Sequence, residues 1–311
     1  MTRPCGLACT RVLWSVIAGA LLLTGVTGCR EASTAMSASA RPLVVASIYP
    51  LYEFTRQVAG ERADVRSLVP PGTAAHDWEP APADVGRVEK AALFVYQGAG
   101  FDPGAARLAR TTRVTLEATA GLPLLAAAAS AHGTTARPDP HVWLDPTLAQ
   151  MQVARIQEAL SAVDAANAPH YAQRAAEYTR RLGTLHETYE RGLADCARRD
   201  IVVSHAAFAY LANRYRLKQI PVTGVAPEAE PSPTEIARVV RAVRRIKANV
   251  VFVETLVSPR LAETLAAEVG ATTMVLNPVE GLTADEARVG KNYVSLMEDN
   301  LRNLRLALEC R

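Results

Sequence analysis

A pattern of short apolar strands alternating with helical segments occurs twice along the chain, and it constrains the fold more than any other feature. The strands are rich in β-branched residues, and helical periodicity separates them. This alternation is typical of a parallel sheet with helices on its faces. The predicted strands are residues 43–48, 65–69, 92–96 and 114–116 in the first half, and 201–204, 219–223, 250–254 and 272–277 in the second.

Two long stretches with helical periodicity, residues 146–163 and 169–195, lie between the two halves. The second carries an apolar stripe at three- and four-residue spacing, which predicts that one face of this helix is buried. The stripe consists of Tyr171, Ala175, Tyr178, Leu182, Leu185 and Tyr189. A helix of about 27 residues is about 40 Å long, enough to run the length of two lobes. We therefore expect an α/β fold of two lobes, each a mostly parallel four-stranded sheet flanked by helices, joined by a long rigid helix.

The N-terminus has the features of an export signal. Arg3 and Arg11 precede an apolar run at residues 12–23, which ends in small residues. The run is shorter than the roughly 20 residues that span a bilayer, so a cleaved signal peptide is favoured over a permanent span. The segment VTGC at residues 26–29 resembles the bacterial lipoprotein box, which implies that Cys29 is lipidated and tethers the mature protein to a membrane. A plain signal peptide with an incidental Cys29 is the alternative.

These features divide the chain into five segments. Residues 1–28 are the lipoprotein signal peptide, and residues 29–42, rich in Ser and Ala, are a flexible tether. Residues 43–145 form the N-terminal α/β lobe and residues 146–195 the helical connector with the long linking helix. Residues 196–311 form the C-terminal α/β lobe.

Export of the protein also determines which cysteines remain in its folded part. Of the five in the sequence, Cys5 and Cys9 leave with the signal peptide, so the folded part keeps Cys196 and Cys310 once Cys29 is lipidated. Two thiols in an oxidising compartment favour one disulfide. A zinc site at these two residues is less favoured, because neither has the CxxC spacing or a nearby histidine.

Composition excludes several classes of function. The chain is 49% hydrophobic and 21% charged, the ordinary balance of a globular protein. Without Arg3 and Arg11 it has 32 basic and 31 acidic residues, which gives no electrostatic footprint for nucleic acid. At 5% aromatic residues it offers few side chains for the apolar cleft that an organic-solute binder or adhesin needs.

Three of the six histidines lie where ligands bind in a parallel-sheet fold, beyond the carboxyl ends of the strands. His76 follows the second strand, His205 directly follows the fifth, and His141 lies in a proline-flanked loop before a helix. Imidazole is the commonest neutral metal ligand, and three of them favour zinc among divalent ions. Glu254 and Asn277 end two further strands at the same edge.

The remaining histidines receive no role in this site. His170 and His186 lie on the connecting helix among polar neighbours and are expected to be solvated. His132 lies in a loop at residues 124–137, where it could collect metal without forming the site.

Several short motifs occur in register along the mature chain. They are ASIYPLY (46–52), VPPG (69–72), HDWEP (76–80), DPHVWLDP (139–146), SHAAFAY (204–210), PEAEPS (227–232) and NP (277–278). Together they resemble the metal-binding solute-binding proteins of zinc and manganese ABC transporters, over essentially all of the mature chain. The resemblance implies that His76, His141 and His205 bind one metal ion between two α/β lobes joined by a long helix.

The identity of the fourth ligand is less clearly indicated. In the family this ligand is often a carboxylate, at the position matched here by Asn277, and an amide is a weaker, uncharged donor. The absence of a carboxylate at position 277 disfavours Mn²⁺, which prefers several oxygen donors. Glu280, Glu254 or a water are the alternatives to Asn277. The carboxylates of Asp77 and Glu79 could orient the imidazoles, and a role at the surface is the equally favoured alternative.

The resemblance predicts a binding protein and not an enzyme. It implies an extracytoplasmic, lipid-anchored monomer, in a periplasm or at the outer face of the cytoplasmic membrane. This monomer captures Zn²⁺ with high affinity and delivers it to an ABC transporter permease, which a cytoplasmic ATPase powers. Manganese or iron is the alternative ion. An exported zinc hydrolase is less favoured, because the sequence has no HExxH motif and no obvious general base.

Overall fold

Two four-stranded parallel sheets form the framework of the structure, a computed structural model that describes residues 41–76, 78–127, 137–225 and 231–311. The first sheet has the strand order β2-β1-β3-β4 and the second β6-β5-β7-β8, with every neighbouring pair parallel. The strands are β1 (Leu43–Ala46), β2 (Asp64–Ser67), β3 (Leu93–Tyr96), β4 (Thr115–Glu117), β5 (Asp200–Val203), β6 (Lys218–Pro221), β7 (Val250–Val253) and β8 (Thr272–Val275). The predicted fold class is confirmed.

Helices connect the strands and link the two sheets. In the described part of the chain they are α1 (Tyr49–Ala59), α2 (Pro82–Glu89), α3 (Pro103–Ala109), α4 (Pro146–Val163), α5 (Ala168–Gly192), α6 (Ala209–Arg214), α7 (Pro233–Ile246), α8 (Arg260–Val269), α9 (Ala284–Arg288) and α10 (Tyr293–Ala307). The two predicted long helices correspond to α4 and α5. Over these same residues, no helix combines the length and apolar character that crossing a bilayer requires.

Local sequence signals fix where several helices begin. At α4 the Asp145 side chain caps the first turn by accepting a hydrogen bond from the Thr147 amide, and a proline follows directly. At α7, Ser232 and Glu235 form a reciprocal capping box. These caps satisfy amide groups that the first turn of a helix leaves without an intrahelical partner.

The long helix α5 packs against both halves of the molecule. All six residues of its predicted apolar stripe are buried. The helix contacts α1 and α4 in the first half and α10 in the second, where the Tyr189 hydroxyl donates to the Met297 carbonyl oxygen at 2.6 Å. At 1.5 Å per residue its 25 residues extend about 37 Å. The helix therefore acts as the predicted rigid connector.

The two sheets share one continuous apolar core. Residues 40–311 form one compact unit, and its largest buried cluster contains Val44 and Leu93 from the first sheet together with Val203 and Phe252 from the second. The lobe boundaries given above stay a prediction. The signal peptide, Cys29 and almost all of the tether lie outside the described residues.

The predicted disulfide between Cys196 and Cys310 is present. It links the segment that follows α5 to the segment that follows α10, and the two cysteines also form an isolated backbone bridge. The disulfide therefore fixes the C-terminal helix to the second half of the molecule.

Removing this disulfide is expected to lower stability while leaving the fold in place. It joins residues 114 apart, and losing a native disulfide from a small secreted domain typically costs about 2–5 kcal/mol. We expect the Cys196→Ser/Cys310→Ser protein to lose about 2–4 kcal/mol of unfolding free energy in guanidinium chloride titrations. Reductant should destabilise the wild-type protein equally and leave the double variant unchanged. A wild-type protein insensitive to reductant would contradict this expectation.

Candidate metal centre

Three imidazoles and one carboxylate meet between the two halves of the molecule. His76, His141, His205 and Glu280 each offer one ligand atom, and these four atoms all lie within 4.8 Å of one another. Glu280 Oε1 lies 3.4 Å from Nε2 of His76, 3.4 Å from Nε2 of His141 and 3.3 Å from Nε2 of His205. Three nitrogens and one oxygen are a donor set that a tetrahedral zinc ion accepts.

The cluster is almost fully enclosed. The side chains of His141 and His205 are 0% exposed, that of Glu280 is 7% exposed and that of His76 is 11% exposed. Glu280 Oε1 and His205 Nε2 are buried and make no hydrogen bond with any described residue. Leaving a buried polar atom unpaired costs about 1–3 kcal/mol, so two at one point require a physical reason. A cation bound between them supplies it.

His205 is placed by the order of strands in the second sheet. It lies two residues after β5, and Glu254 directly follows β7, the parallel neighbour of β5. The carboxyl ends of these strands are therefore adjacent, and His205 Nδ1 lies 2.7 Å from Glu254 Oε1. Glu254, a predicted alternative ligand, thus contacts the imidazole on the side away from the cluster.

His141 is held by a carboxylate two residues before it in the chain. Asp139 Oδ1 accepts a hydrogen bond from the His141 amide at 2.9 Å and lies 2.8 Å from His141 Nδ1. The loop itself is fixed by Gln97, whose Nε2 donates to the Pro140 carbonyl oxygen at 2.6 Å. The Tyr210 hydroxyl donates to the Asp139 carbonyl oxygen at 2.7 Å, which adds a contact from the second half.

These two carboxylates also determine which imidazole nitrogen can bind a metal. An ionised carboxylate only accepts hydrogen bonds, so the Nδ1 atoms of His141 and His205 act as the donors. In the neutral imidazole this leaves the lone pair on Nε2, the atom that faces the cluster.

The electrostatic environment favours positive charge at the cluster. Burial acts to lower the pKa of His205, but the carboxylates of Glu254 and Glu280 raise it to about 10. Asp139 and Glu280 likewise raise the pKa of His141 against the effect of its burial. Burial acts to raise the pKa of Glu280, but the three imidazoles hold it well below its usual range. The same carboxylates would stabilise a divalent cation at this point.

His76 reaches the cluster from a loop that also contacts the other half. In this loop the Gly72 amide donates to the Leu282 carbonyl oxygen at 2.7 Å. The His76 ring packs on Phe101, with ring centroids 4.3 Å apart. Asp77 lies outside the described residues. Glu79 is exposed and pairs with Arg107 at 2.6 Å, so of its two predicted roles the structure agrees with the surface one.

Asn277, the first choice for the fourth ligand, is engaged by hydrogen bonds outside the cluster. Its Oδ1 accepts a hydrogen bond from the Val279 amide at 2.7 Å, and its Nδ2 donates at 3.2 Å to both Thr255 and Glu286. The strand β8 ends at Val275, and the chain turns before it reaches Glu280. The structure therefore brings Glu280, one of the predicted alternatives, to the three histidines instead of Asn277.

The remaining predictions about side chains are partly correct. His186 is partly exposed and contacts the Tyr215 hydroxyl at 3.1 Å, away from the cluster. His170 was expected to be solvated, but its Nε2 is buried without a partner in the described ranges. His132 lies outside those ranges. Asp139 was given no role, although its position two residues before His141, between two prolines, is a signal that could have identified it.

Comparison with known proteins connects this geometry to one family. The family described as "Zinc-uptake complex component A periplasmic" matches residues 44–307. The high-affinity zinc uptake system protein ZnuA of Bacillus subtilis (strain 168) is 34% identical, over 95% of this chain and 98% of that protein. The zinc-binding lipoprotein AdcA of Streptococcus pneumoniae (strain ATCC BAA-255 / R6) is 36% identical over 84% of this chain. The chain spans only 55% of AdcA's length.

Solved structures of similar proteins indicate the same family. The Zn(II)-bound ZnuA-like domain of Streptococcus pneumoniae AdcA superposes with a TM-score of 0.75 at 36% identity, covering 86% of this chain and 99% of that domain. The laminin-binding protein Lmb of Streptococcus agalactiae, described as having adhesin and metal-transporting activity, has a TM-score of 0.78 at 30% identity, with coverage of 86% and 99%. With the family match extending over most of its length, this chain belongs to the zinc-uptake complex component A family.

Proposed function

We propose that this chain captures Zn²⁺ outside the cytoplasmic membrane and delivers it to the permease of an ABC transporter. The observation that carries the proposal is the convergence of three buried imidazole nitrogens on the Glu280 carboxylate, with two of the four atoms lacking any hydrogen bond within the described residues. We assign His76, His141, His205 and Glu280 as the four ligands. Membership of a zinc-uptake family and the zinc-bound state of a relative 36% identical support the same ion.

The donor set favours zinc over manganese. With Glu280 as the fourth ligand the site has a carboxylate, so the absence of one at position 277 no longer argues against Mn²⁺. The preference instead follows from three imidazoles and a single carboxylate, since Mn²⁺ favours more oxygen donors and a higher coordination number. Four ligands in a closed site satisfy Zn²⁺ completely.

The same closure favours binding and transport over catalysis. A catalytic zinc keeps one coordination position open for water or substrate. Here the carboxylate of Glu280 takes that position and the surrounding side chains are buried. We therefore infer that the ion is cargo and that the protein is not a hydrolase.

The place of action follows from the N-terminal sequence and from family membership. We infer that the lipoprotein box at residues 26–29 directs lipidation of Cys29 and that the protein, a monomer, stays anchored outside the cytoplasmic membrane. The relative AdcA is named a lipoprotein, which supports this inference. The partner is the permease of the uptake complex, with its cytoplasmic ATPase.

Removing one histidine should abolish tight zinc binding without unfolding the protein. We expect His141→Ala to weaken Zn²⁺ binding by more than about 100-fold in a competitive titration of chelator-stripped protein against a calibrated indicator. His186→Ala is the matched control, because that histidine lies outside the cluster and should bind zinc like the wild type. Wild-type protein that binds Mn²⁺ more tightly than Zn²⁺, or neither tightly, would refute the proposal.

Zinc should also stabilise the folded protein, because the unfolded chain has no assembled site. At a free Zn²⁺ concentration about 1,000 times the dissociation constant, the free energy of unfolding should rise by about 4 kcal/mol. Denaturant titrations of wild type and Glu280→Ala at one fixed zinc concentration measure this effect. A smaller gain in the variant is expected, since it binds zinc more weakly.

The carboxylate behind His141 should contribute to affinity without binding the ion. Asp139→Ala removes the acceptor that orients the His141 ring, and losses of this kind typically cost about 10–100-fold in metal affinity. Glu79→Ala is the control, since that carboxylate is exposed and pairs with Arg107. Equal zinc affinities for both variants would show that Asp139 does not orient the ligand.

Changing the anchoring cysteine should release the protein from the membrane. In a bacterial host, Cys29→Ser should move the protein from the membrane fraction to the soluble exported fraction and abolish labelling with a fatty-acid analogue. Cys9→Ser, within the predicted signal peptide, should leave both readouts unchanged. Continued lipid labelling of Cys29→Ser would place the anchor elsewhere.

A further inference from the structure

The turn that carries Glu280 contains a strained residue. Val279 has a φ of +59°, in the left-handed region that favours glycine, and its side chain is fully buried. A β-branched residue is rarely found there, because its Cβ substituents clash with the backbone. Such a conformation persists only where the surrounding structure enforces it, and it is commonly associated with functional sites.

The side chain that closes this turn is Asn277. Its Oδ1 accepts the Val279 amide at 2.7 Å, which closes an Asx turn over Pro278. Its Nδ2 donates to Thr255 Oγ1 and Glu286 Oε1, each at 3.2 Å, so the amide group is held at both ends. The residue is only 4% exposed.

The backbone around Asn277 is fixed from two further directions. Asn300, on α10, accepts from the Asn277 amide at 2.8 Å and donates to the Asn277 carbonyl oxygen at 2.6 Å. The Pro278 carbonyl oxygen accepts from Trp143 Nε1 at 2.8 Å. Trp143 lies two residues after His141, so the Glu280 turn is connected to the segment that carries another ligand. Six hydrogen bonds therefore act on the three residues that precede Glu280 by one to three positions.

We propose that Asn277 is a positioning residue, which holds Val279 in its left-handed conformation and so presents the Glu280 carboxylate to the three imidazoles. Without the Asn277 acceptor, Val279 relaxes toward negative φ and the direction of the next side chain changes. Glu280 then no longer reaches the bound ion, and zinc affinity falls accordingly. The inference rests on the proposed function, because it treats Glu280 as a zinc ligand.

A double-mutant cycle between Asn277 and Glu280 tests this role. Zinc dissociation constants are measured for the exported protein as wild type, Asn277→Ala, Glu280→Ala and the double variant. We expect Asn277→Ala to weaken zinc binding by about 10–100-fold in the wild-type background and to have almost no further effect when Glu280 is absent. An equal loss in both backgrounds, or no loss in the wild type, overturns the proposal.

The cobalt absorption spectrum provides a readout that general destabilisation would not change. Co²⁺ in place of Zn²⁺ reports the ligands directly, so the Asn277→Ala spectrum should match that of Glu280→Ala and differ from wild type. Asn303→Ala is the control, since this asparagine lies on α10 and donates its hydrogen bond to the Val275 carbonyl oxygen and not to the turn. Its affinity and spectrum should be those of the wild type. A wild-type spectrum for Asn277→Ala overturns the proposal.

Asn277→Asp keeps the test decisive if the alanine variant does not fold. Aspartate retains an oxygen that accepts the Val279 amide but loses both Nδ2 donors and lies beside Glu286. If Asn277 positions Glu280 and is not a ligand, Asn277→Asp should bind zinc no more tightly than the wild type. A ligand at this position would instead gain from the new negative charge, so tighter binding of Zn²⁺ or Mn²⁺ overturns the positioning role.

The zinc affinities of the wild type and the single variants distinguish failure of the proposed function from failure of the role of Asn277. Wild-type protein without tight zinc binding refutes the proposed function, and the positioning role with it. Tight wild-type binding that is weakened by Glu280→Ala but not by Asn277→Ala supports the proposed function and refutes only the role of Asn277.

Discussion

Glu280 Oε1 lies within 3.4 Å of three imidazole nitrogens in an almost fully buried cluster, and much of the surrounding structure serves to hold these four atoms together. Polar atoms buried without hydrogen bonds are costly, so the packing around them has to resist their separation. Carboxylates behind two of the imidazoles, from Asp139 and Glu254, supply that resistance. They also add negative charge around the cluster, and a bound dication compensates this charge.

Hydrogen bonds between the two halves extend this arrangement beyond the ligands. Trp143 donates to the Pro278 carbonyl oxygen, and the Tyr293 hydroxyl donates to the Trp143 carbonyl oxygen. Along one side, α5 buries its apolar stripe against helices of both halves. Because separating the halves would expose this shared core, rearrangement at the site is less costly in the loops than between the sheets.

The sequence was sufficient to predict the framework, since it depends on periodicity. The eight strands were predicted from short runs of β-branched and apolar residues, and the two long helices and the buried stripe of α5 from helical periodicity. The short helices α3, α6 and α9 were not, because five to seven residues carry too little periodicity. The three histidines were predicted because parallel strands place their carboxyl ends at one edge, a rule of topology rather than of local conformation.

The position of Glu280 beside the three imidazoles depends on local conformation that periodicity does not encode. Glu280 follows an Asx turn closed by Asn277 and a valine of positive φ, a conformation that no residue preference of valine would predict. Glu254 was correctly predicted to lie at the edge of the sheet. It contacts Nδ1 of His205, however, and not Nε2, the nitrogen that faces the cluster. Glu79 is near His76 in sequence, yet Arg107 holds it at the surface.

Tight capture and eventual delivery place opposite demands on such a site, and the loops show how both can be met. His76 is the most exposed of the four side chains, and its loop is joined to the Glu280 loop by the hydrogen bond from the Gly72 amide to the Leu282 carbonyl oxygen. Displacement of either loop would therefore act on two of the four clustered side chains, His76 and Glu280. His141 and His205 remain fixed by their carboxylates. An ion with two imidazole ligands alone is incompletely coordinated, so displacement of these joined loops would lower affinity without any movement of the two sheets.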